Sequence, residues 1–588
     1  MQDVTFQPRG GVIVRRFILV FSALCLLTTG LVPAAADEGS KYREPISSRK
    51  GVVATEAPAA SEVGVDVLDE GGNAVDAAVT MMIAMTAARP QSCGIGGGGF
   101  LVYRSAKGKV RTLDFRETAP AAMRPDTFQT PGPHQTFTGH LTVGVPGILR
   151  GAEAALRRFG TISMGESLKP AERLAANGIE VLPSLSAAMA TNAERLKLYP
   201  PAASIYLKNS TTPYAPGDIL RNPELAKTLE LLRKRGIDEF YDGEIAERID
   251  EDMRAAGEVP GDRGIMRRED LERYKAEWRK PVTGKYNGHR IIGMPPPTSG
   301  GIATIQMLNI LEGFDIEGAG QSSADHLHFT AEAQKIAFAD RAAYVADPDF
   351  EDVPTKELIS KSYADERRDE IDQDVAKSYP PGVFDAPKPD NSGNPNGHTT
   401  HISVIDRDGN AVALTCTIEA EFGSAVVAPK TGFLLNNEMT DFGAPGTANE
   451  PEPFKRPRSS MSPTILVRKG EPVLITGGAG GIRIIMGVLN AIVQLVDFDL
   501  NIGQAIDAER VEAAGGVTGP PFPLELEDGR VDEDVEVELG ARGHTITPNN
   551  ETEYLIRPRM NATGVDLATG RNLGVSDPRT DDGTRAQK

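Results

Sequence analysis

The chain has 588 residues, 40% of them hydrophobic and 25% charged, which is the ordinary globular range and enough for roughly three or four domains by length alone. A formal net charge of -19 excludes a protein that wraps nucleic acid unless a local basic stripe opposes it. No such stripe exists: Arg233-Lys234-Arg235 and Lys455-Arg456-Pro457-Arg458 are short and isolated. Three cysteines, Cys25, Cys93 and Cys416, without any CxxC spacing, exclude a disulfide scaffold. Cys93 and Cys416 are expected as buried free thiols, with a disulfide between them as the alternative.

The N-terminus reads as an export signal. Arg15-Arg16 supplies the positive charge, an uncharged apolar run follows from Phe17 to Val32, and Ala34-Ala35-Ala36 offers an A-x-A cleavage site before Asp37 and Glu38. The arginine pair also fits a twin-arginine signal weakly. An uncleaved membrane anchor is the rival, since the run approaches spanning length. The expectation is cleavage after residue 36 and an exported protein, periplasmic or secreted.

Residues 51 to about 90 read as helical, with a break at Gly71-Gly72 and a second helix entered at Asn73 and stopped before Pro90. A turn-and-strand region follows, from Gly94 to Leu101 and Val110 to Arg116. Residues 145 to 275 read as mostly helical, and Ser322 to Ala346 as one long helix ended by Asp347-Pro348. The stretch from 378 to 398 is rich in Pro, Gly, Asn and Ser and is expected to be an exposed, mobile loop. Strands begin at its end: Thr399 to Ile405 and Asn410 to Ile418, joined by the hairpin signal Asp406-Arg407-Asp408-Gly409. Helical layers around a central sheet make the class α/β or α+β.

With the turn centred on Asp408, Thr399 lies opposite Thr417. Side chains alternate between faces. One face carries Ile402, Val404, Val412, Leu414, Cys416 and Ile418 and belongs in a core. The other carries Thr399, His401, Ser403, Thr415, Thr417 and Glu419 toward the open end, and Ile405, Ala411 and Ala413 near the turn. A threonine hydroxyl is a poor nucleophile without a base beside it, and its own α-amine serves when the threonine begins a chain. An α-amine has a pKa of about 7.7–8.0, close to working pH. A break before Thr399, made when its hydroxyl attacks the His398 carbonyl, would expose that amine, with Thr417 orienting the hydroxyl. By itself a Thr-rich strand is usually just a strand. His398-Thr-Thr-His401 matches no standard metal spacing, and Gly96 to Gly99 lacks the Lys-Ser/Thr of a phosphate loop.

The run from Thr399 to Thr417 resembles the start of the small subunit of γ-glutamyltranspeptidases. The resemblance extends to Asp114-Phe-Arg116-Glu-Thr-Ala-Pro120, Gly144-Val-Pro-Gly147, Met294-Pro-Pro-Pro-Thr-Ser-Gly-Gly301, Leu435-Asn-Asn-Glu438-Met-Thr-Asp441, Arg456-Pro-Arg-Ser459-Ser460-Met-Ser-Pro463 and Gly477-Gly-Ala-Gly480-Gly481. It implies an α+β fold, the αββα sandwich of N-terminal-nucleophile hydrolases. A large subunit (37–398) and a small subunit (399–588) would come from one precursor cut between His398 and Thr399. It implies Thr399 as nucleophile and Thr417 as its hydrogen-bond partner. Arg116, Ser459 and Ser460 would grip the glutamyl α-carboxylate, Glu419, Glu438 and Asp441 the α-ammonium, and Gly480 and Gly481 would form the oxyanion hole. The partners it implies are glutathione or other γ-glutamyl compounds, with amino acids, peptides or water as acceptors; it implies no metal or organic cofactor. Glu419 stands where many members have asparagine, and Gly443 to Phe454 is short, as in members without a lid over the glutamyl pocket. A cephalosporin-type glutaryl acylase and a poly-γ-glutamate-processing enzyme are the alternatives on the same fold.

Overall fold

Two seven-stranded sheets stacked face to face organise the chain. The computed structural model describes residues 43–130, 132–384, 387–390, 397–513, 523–527, 529–549 and 558–588. The export-signal segment and the tip of the 378–398 loop fall outside them. The first sheet runs Arg585–Ala586, Val52–Ala54, Thr399–Ile405, Ala411–Thr417, Gly98–Arg104, Val110–Asp114 and Glu277–Arg279. The second runs Ile46–Ser48, Arg571–Ser576, Arg559–Asp566, Glu471–Ala479, Thr464–Arg468, His289–Gly293 and Val282–Tyr286. Neighbouring strands in both are antiparallel. Each sheet therefore mixes strands from before and after residue 399.

The alternation of the hairpin sets the layers. Its face with Ile402, Val404, Val412, Leu414 and Cys416 packs under helices Pro58–Asp69, Ala74–Ala88, Ile148–Phe159 and Met164–Asn177. Its opposite face sends Ile405, Ala411 and Ala413 against Ile292, Ile465 and Ile475 of the second sheet. Helices Gly300–Leu311, Ala324–Tyr344 and Arg483–Val496 cover the outer face of that sheet through Leu466, Leu474 and Met560. The result is an αββα sandwich, as the resemblance implies.

Helix Ala74–Ala88 is apolar around most of its circumference and is buried on all sides, as such a helix must be. Asn73 caps it with bonds from the N–H groups of Val75 and Asp76, and the Asp76 carboxylate accepts the Asn73 N–H in return. Asp406, from the hairpin turn, accepts the Ala74 N–H at 3.0 Å and so ties the turn to the helix start.

Three expectations change. Residues Val52–Ala54 form a strand, so the first helix begins only at Pro58. The expected free thiols are a Cys93–Cys416 disulfide, across a sequence separation of 323. The Ile418 N–H bonds to the Ser92 carbonyl, which lays the 91–93 segment over the apolar face where Cys416 points. In the 378–398 stretch Tyr379, Asp390 and His398 are buried, held through Glu332, Arg458 and the Glu419 carbonyl.

Candidate active site

Thr399 is the first residue of its strand and pairs with Thr417 in the expected register. Its Oγ1 lies 3.3 Å from Thr417 Oγ1. Thr417 Oγ1 accepts the Glu419 N–H at 2.8 Å and donates to the His398 carbonyl oxygen at 2.9 Å. One hydroxyl thus touches both the candidate nucleophile and the carbonyl that a chain break would consume. A further bond, His398 N–H to the Glu419 carbonyl at 2.6 Å, holds the peptide against the turn where Glu419 takes φ 76°. His398 is buried, and burial together with Arg559, Arg89 and Arg195 holds its imidazole well below the usual histidine range. It faces Glu421 at 3.4 Å and is not paired with His401.

His401 follows Thr399 on the same face of the hairpin. Ser403 Oγ donates to the Ile475 carbonyl, so it accepts from His401 Nε2–H at 2.9 Å. His401 Nδ1 then accepts from Thr415 Oγ1 at 2.8 Å. Burial pushes its pKa down to about 3, so the ring is neutral. This row of polar side chains stitches the hairpin to the strand Glu471–Ala479, which leads into Gly480 and Gly481. Those two glycines adopt φ of 129° and 59°, in the region that a side chain disfavours. Their carbonyls accept from Arg483 and Ile484, placing them at the start of helix Arg483–Val496, the positive end of the helix dipole.

A pocket beside Thr399 and Thr417 is lined by Arg116, Glu419, Glu438, Asp441, Ser459, Ser460 and Gly481. Of the residues expected from sequence, Gly480 and His398 alone do not line it; each adjoins a lining residue. Arg116 is heavily engaged: it donates to Glu438, to Asp441 at 2.6 Å, and to the carbonyls of Pro457 and Arg458. Asp114 accepts the Arg116 N–H and fixes the backbone there. Glu438 Oε2 is buried and has no hydrogen-bond partner among the described residues, so it is open to a cation. Burial raises the Asp441 carboxyl above the usual range, against the pull of Arg116. Asn436 links the motifs: its side chain bonds Gly96, Gly144 and the Glu438 N–H. The proline run serves as packing that presents Thr298 and Ser299, which grip the Met461 and Ser459 carbonyls.

Sequence reasoning missed Arg341 and Arg458, which also line the pocket. Arg458 pairs with Asp390 at 2.9 Å. Arg341 sits on helix Ala324–Tyr344, and its only signal in sequence is a charged residue on a helix that the structure buries almost throughout. Among the described residues one group has metal-ligand character, His328, Glu332 and His544. None of the three lines the pocket, and Glu332 is taken by Lys335, Tyr379 and the Lys377 N–H.

A family profile described as gamma-glutamyltranspeptidase matches residues 60–586. The chain is 40% identical over 559 residues to the glutathione hydrolase proenzyme of Escherichia coli (strain K12), covering 92% of each. It is 39% identical to the acylase ACY 1 proenzyme of Pseudomonas sp. (strain SE83), over 88% of this chain and 90% of that one. The solved cephalosporin acylase from Bacillus halodurans superposes with a TM-score of 0.83 at 28% identity, over 95% of this chain and all of its own.

Proposed function

The chain belongs to the γ-glutamyltranspeptidase family, and from that premise we propose that it is a self-cutting precursor of an enzyme that hydrolyses and transfers γ-glutamyl groups, glutathione among its donors. In the first reaction Thr399 Oγ attacks the His398 carbonyl carbon, the C–N bond breaks, and the resulting ester is hydrolysed by water. The products are a His398 carboxylate and a free Thr399 α-amine. In each later turnover that amine takes the Oγ proton as Oγ attacks the γ-carbonyl of the donor, then gives it to the departing amine. Water or an amine acceptor resolves the γ-glutamyl-Thr399 ester. Gly480 and Gly481 would donate to the oxyanion. Glu438, Glu419 and Asp441 would hold the α-ammonium, and Arg116, Ser459 and Ser460 the α-carboxylate.

The observation that carries this reading is the Thr417 hydroxyl, placed between the Thr399 hydroxyl and the His398 carbonyl. Likeness to acylases favours a second reading, a glutaryl donor without an α-ammonium. The open oxygen of Glu438 speaks for a cationic group in the donor and against it. The short segment from Gly443 to Phe454 is held down on Ala119 and Lys388, which supports a pocket accessible to water and to larger donors such as poly-γ-glutamate, with substantial hydrolysis beside transfer. Export fits the signal-like residues 1–36 and a disulfide that needs an oxidising compartment; among the described residues no helix is long and apolar enough to cross a membrane.

The test is mass measurement after reduction, on wild type and Thr399→Ala. A fragment of residues 399–588 in the wild type and its absence in the variant is expected, followed by turnover of γ-glutamyl-p-nitroanilide in preference to the glutaryl compound. A folded wild type that stays as one chain removes the free amine and with it the mechanism.

A further inference from the structure

A second cavity lies where the start of helix Pro200–Tyr206 meets the end of helix Glu244–Ala255, and it shares no residue with the pocket beside Thr399. Its volume is about 240 Å³, against about 30 Å³ for that pocket. Leu198, Pro200, Val259, Val426 and Val427 give it apolar walls. The valines at 426 and 427 are buried, whereas Leu198 is a large apolar side chain left 45% exposed. Sites for drug-sized ligands run to roughly 300–1,000 Å³, so the occupant of this one is small, a single ring or a short chain.

The polar part of the lining carries a net negative charge. His140 donates from Nδ1 to Asp262 Oδ2 at 2.8 Å and from Nε2 to Asp252 Oδ2 at 3.1 Å. With a carboxylate on each nitrogen, both are protonated and the ring is a cation. Burial opposes that charge, but the bonds to Asp252 and Asp262 prevail and raise the pKa to about 9. Asp262 is saturated, since it also accepts the His140 N–H at 2.9 Å and the Tyr199 hydroxyl at 2.8 Å. Asp252 is not: its Oδ1 has no hydrogen-bond partner among the described residues, and its side chain keeps 17% exposure. Glu258 lines the cavity too and forms no ion pair among the described residues. Three carboxylates thus face one imidazolium, and no lysine or arginine lines the cavity. A cation with an apolar body complements both parts of the lining, whereas an anion meets like charge.

We propose that this cavity is a second ligand site, selective for a small amine with an apolar body: the ammonium pairs with Asp252, and the ring or chain packs on Leu198, Val426 and Val427. His140 and Asp252 precede residue 399 and the two valines follow it, so the occupant touches both sides of the expected cut. The site uses none of the residues that carry the γ-glutamyl reading and stands or falls independently of it.

The experiment is a ligand-observed NMR titration at pH 7 on the full Thr399→Ala chain, so that no turnover consumes the probe. It compares phenethylamine with 2-phenylethanol, its neutral counterpart, and phenylacetate, its anionic one. The amine should saturate one site with a dissociation constant of roughly 1 mM or below. The alcohol and the acid should bind at least roughly 10-fold more weakly, for want of one charge-assisted contact. In the same background Asp252→Asn, which removes charge and keeps shape, should weaken the amine roughly 10-fold and leave the alcohol within about 3-fold. Ala256→Trp should fill the cavity and abolish binding of both. Asp252 and Ala256 are partly exposed, so neither substitution enters the core, and melting curves check that each variant is folded. Should Ala256→Trp fail to fold, Asp252→Asn decides alone by the split between amine and alcohol. Absence of saturable amine binding, or amine binding that the substitutions do not move, would overturn the inference. An equal loss of amine and alcohol in Asp252→Asn would show that Asp252 serves only to hold His140, and would overturn it as well.

Discussion

Glu117 follows Arg116 in the chain and is fully buried, and neither of its carboxyl oxygens has a hydrogen-bond partner among the described residues. Burial pushes its pKa up to about 8, against the pull of Arg116. The side chain is therefore a neutral acid at neutral pH, which leaves Arg116 to Glu438 and Asp441. The consequence for stability has a definite sign. The unfolded chain loses this proton near pH 4.5 and the folded protein near pH 8, so the contribution is fully present below the first value and is lost as pH rises to the second. Replacing it by Glu117→Gln removes that loss. The stability of the variant relative to wild type, read from melting curves, should rise between pH 5 and pH 8 by on the order of 3 kcal/mol. Parallel melting curves across that range would mean the carboxyl is ionised when folded.

At the scale of the element, the hairpin was the most legible part of the sequence, and Asp406 explains why. The alternation of residues 399–418 marked two faces, and the Asp-Arg-Asp-Gly turn fixed which residues oppose each other. Asp406 locks that register by accepting the N–H groups of Asp408 and Asn410, the Asn410 amide and the Ala74 N–H. Gly409 takes the φ of 85° that the turn needs. Asp406→Ala, made in a Thr399→Ala background so that one chain unfolds, should cost about 2–4 kcal/mol in urea denaturation. A change below about 0.5 kcal/mol would show that the alternation alone sets the register. What the sequence left dark depends on contacts between distant elements. Arg341 reads as one charge late in a helix, because nothing local shows that its side chain bonds Ser299 and Ser460, residues from two other parts of the chain. Arg116 matched the family pattern, but its prior engagement by Glu438 and Asp441 is a property of the packed pocket. The 378–398 stretch has a loop's composition, yet Arg458 and Glu332 bury parts of it from elsewhere in the fold.

For the whole molecule, the interleaving of strands decides what self-cutting would do to the architecture. The strands Thr399–Ile405 and Ala411–Thr417 lie between Val52–Ala54 and Gly98–Arg104, both from the N-terminal side of the cut. In the second sheet His289–Gly293 pairs with Thr464–Arg468, and Ile46–Ser48 with Arg571–Ser576, again across it. Pulling the two chains apart would open both sheets and expose the apolar layer between them, so the matured protein should stay one particle. The Cys93–Cys416 disulfide adds a covalent tie across the same division, with both cysteines fully buried. Reductant alone should leave the native particle intact, because hydrogen bonds and burial hold it without the bridge. Denaturant alone should leave the two fragments linked, because the bridge survives unfolding. Both together should release residues 399–588. Cys416→Ser should release that fragment in denaturant without reductant, while keeping the particle whole and catalytically competent under native conditions. Wild-type protein from an oxidising compartment that separates in denaturant without reductant would show that the two thiols do not pair, leaving the interleaved sheets as the only bond between the chains.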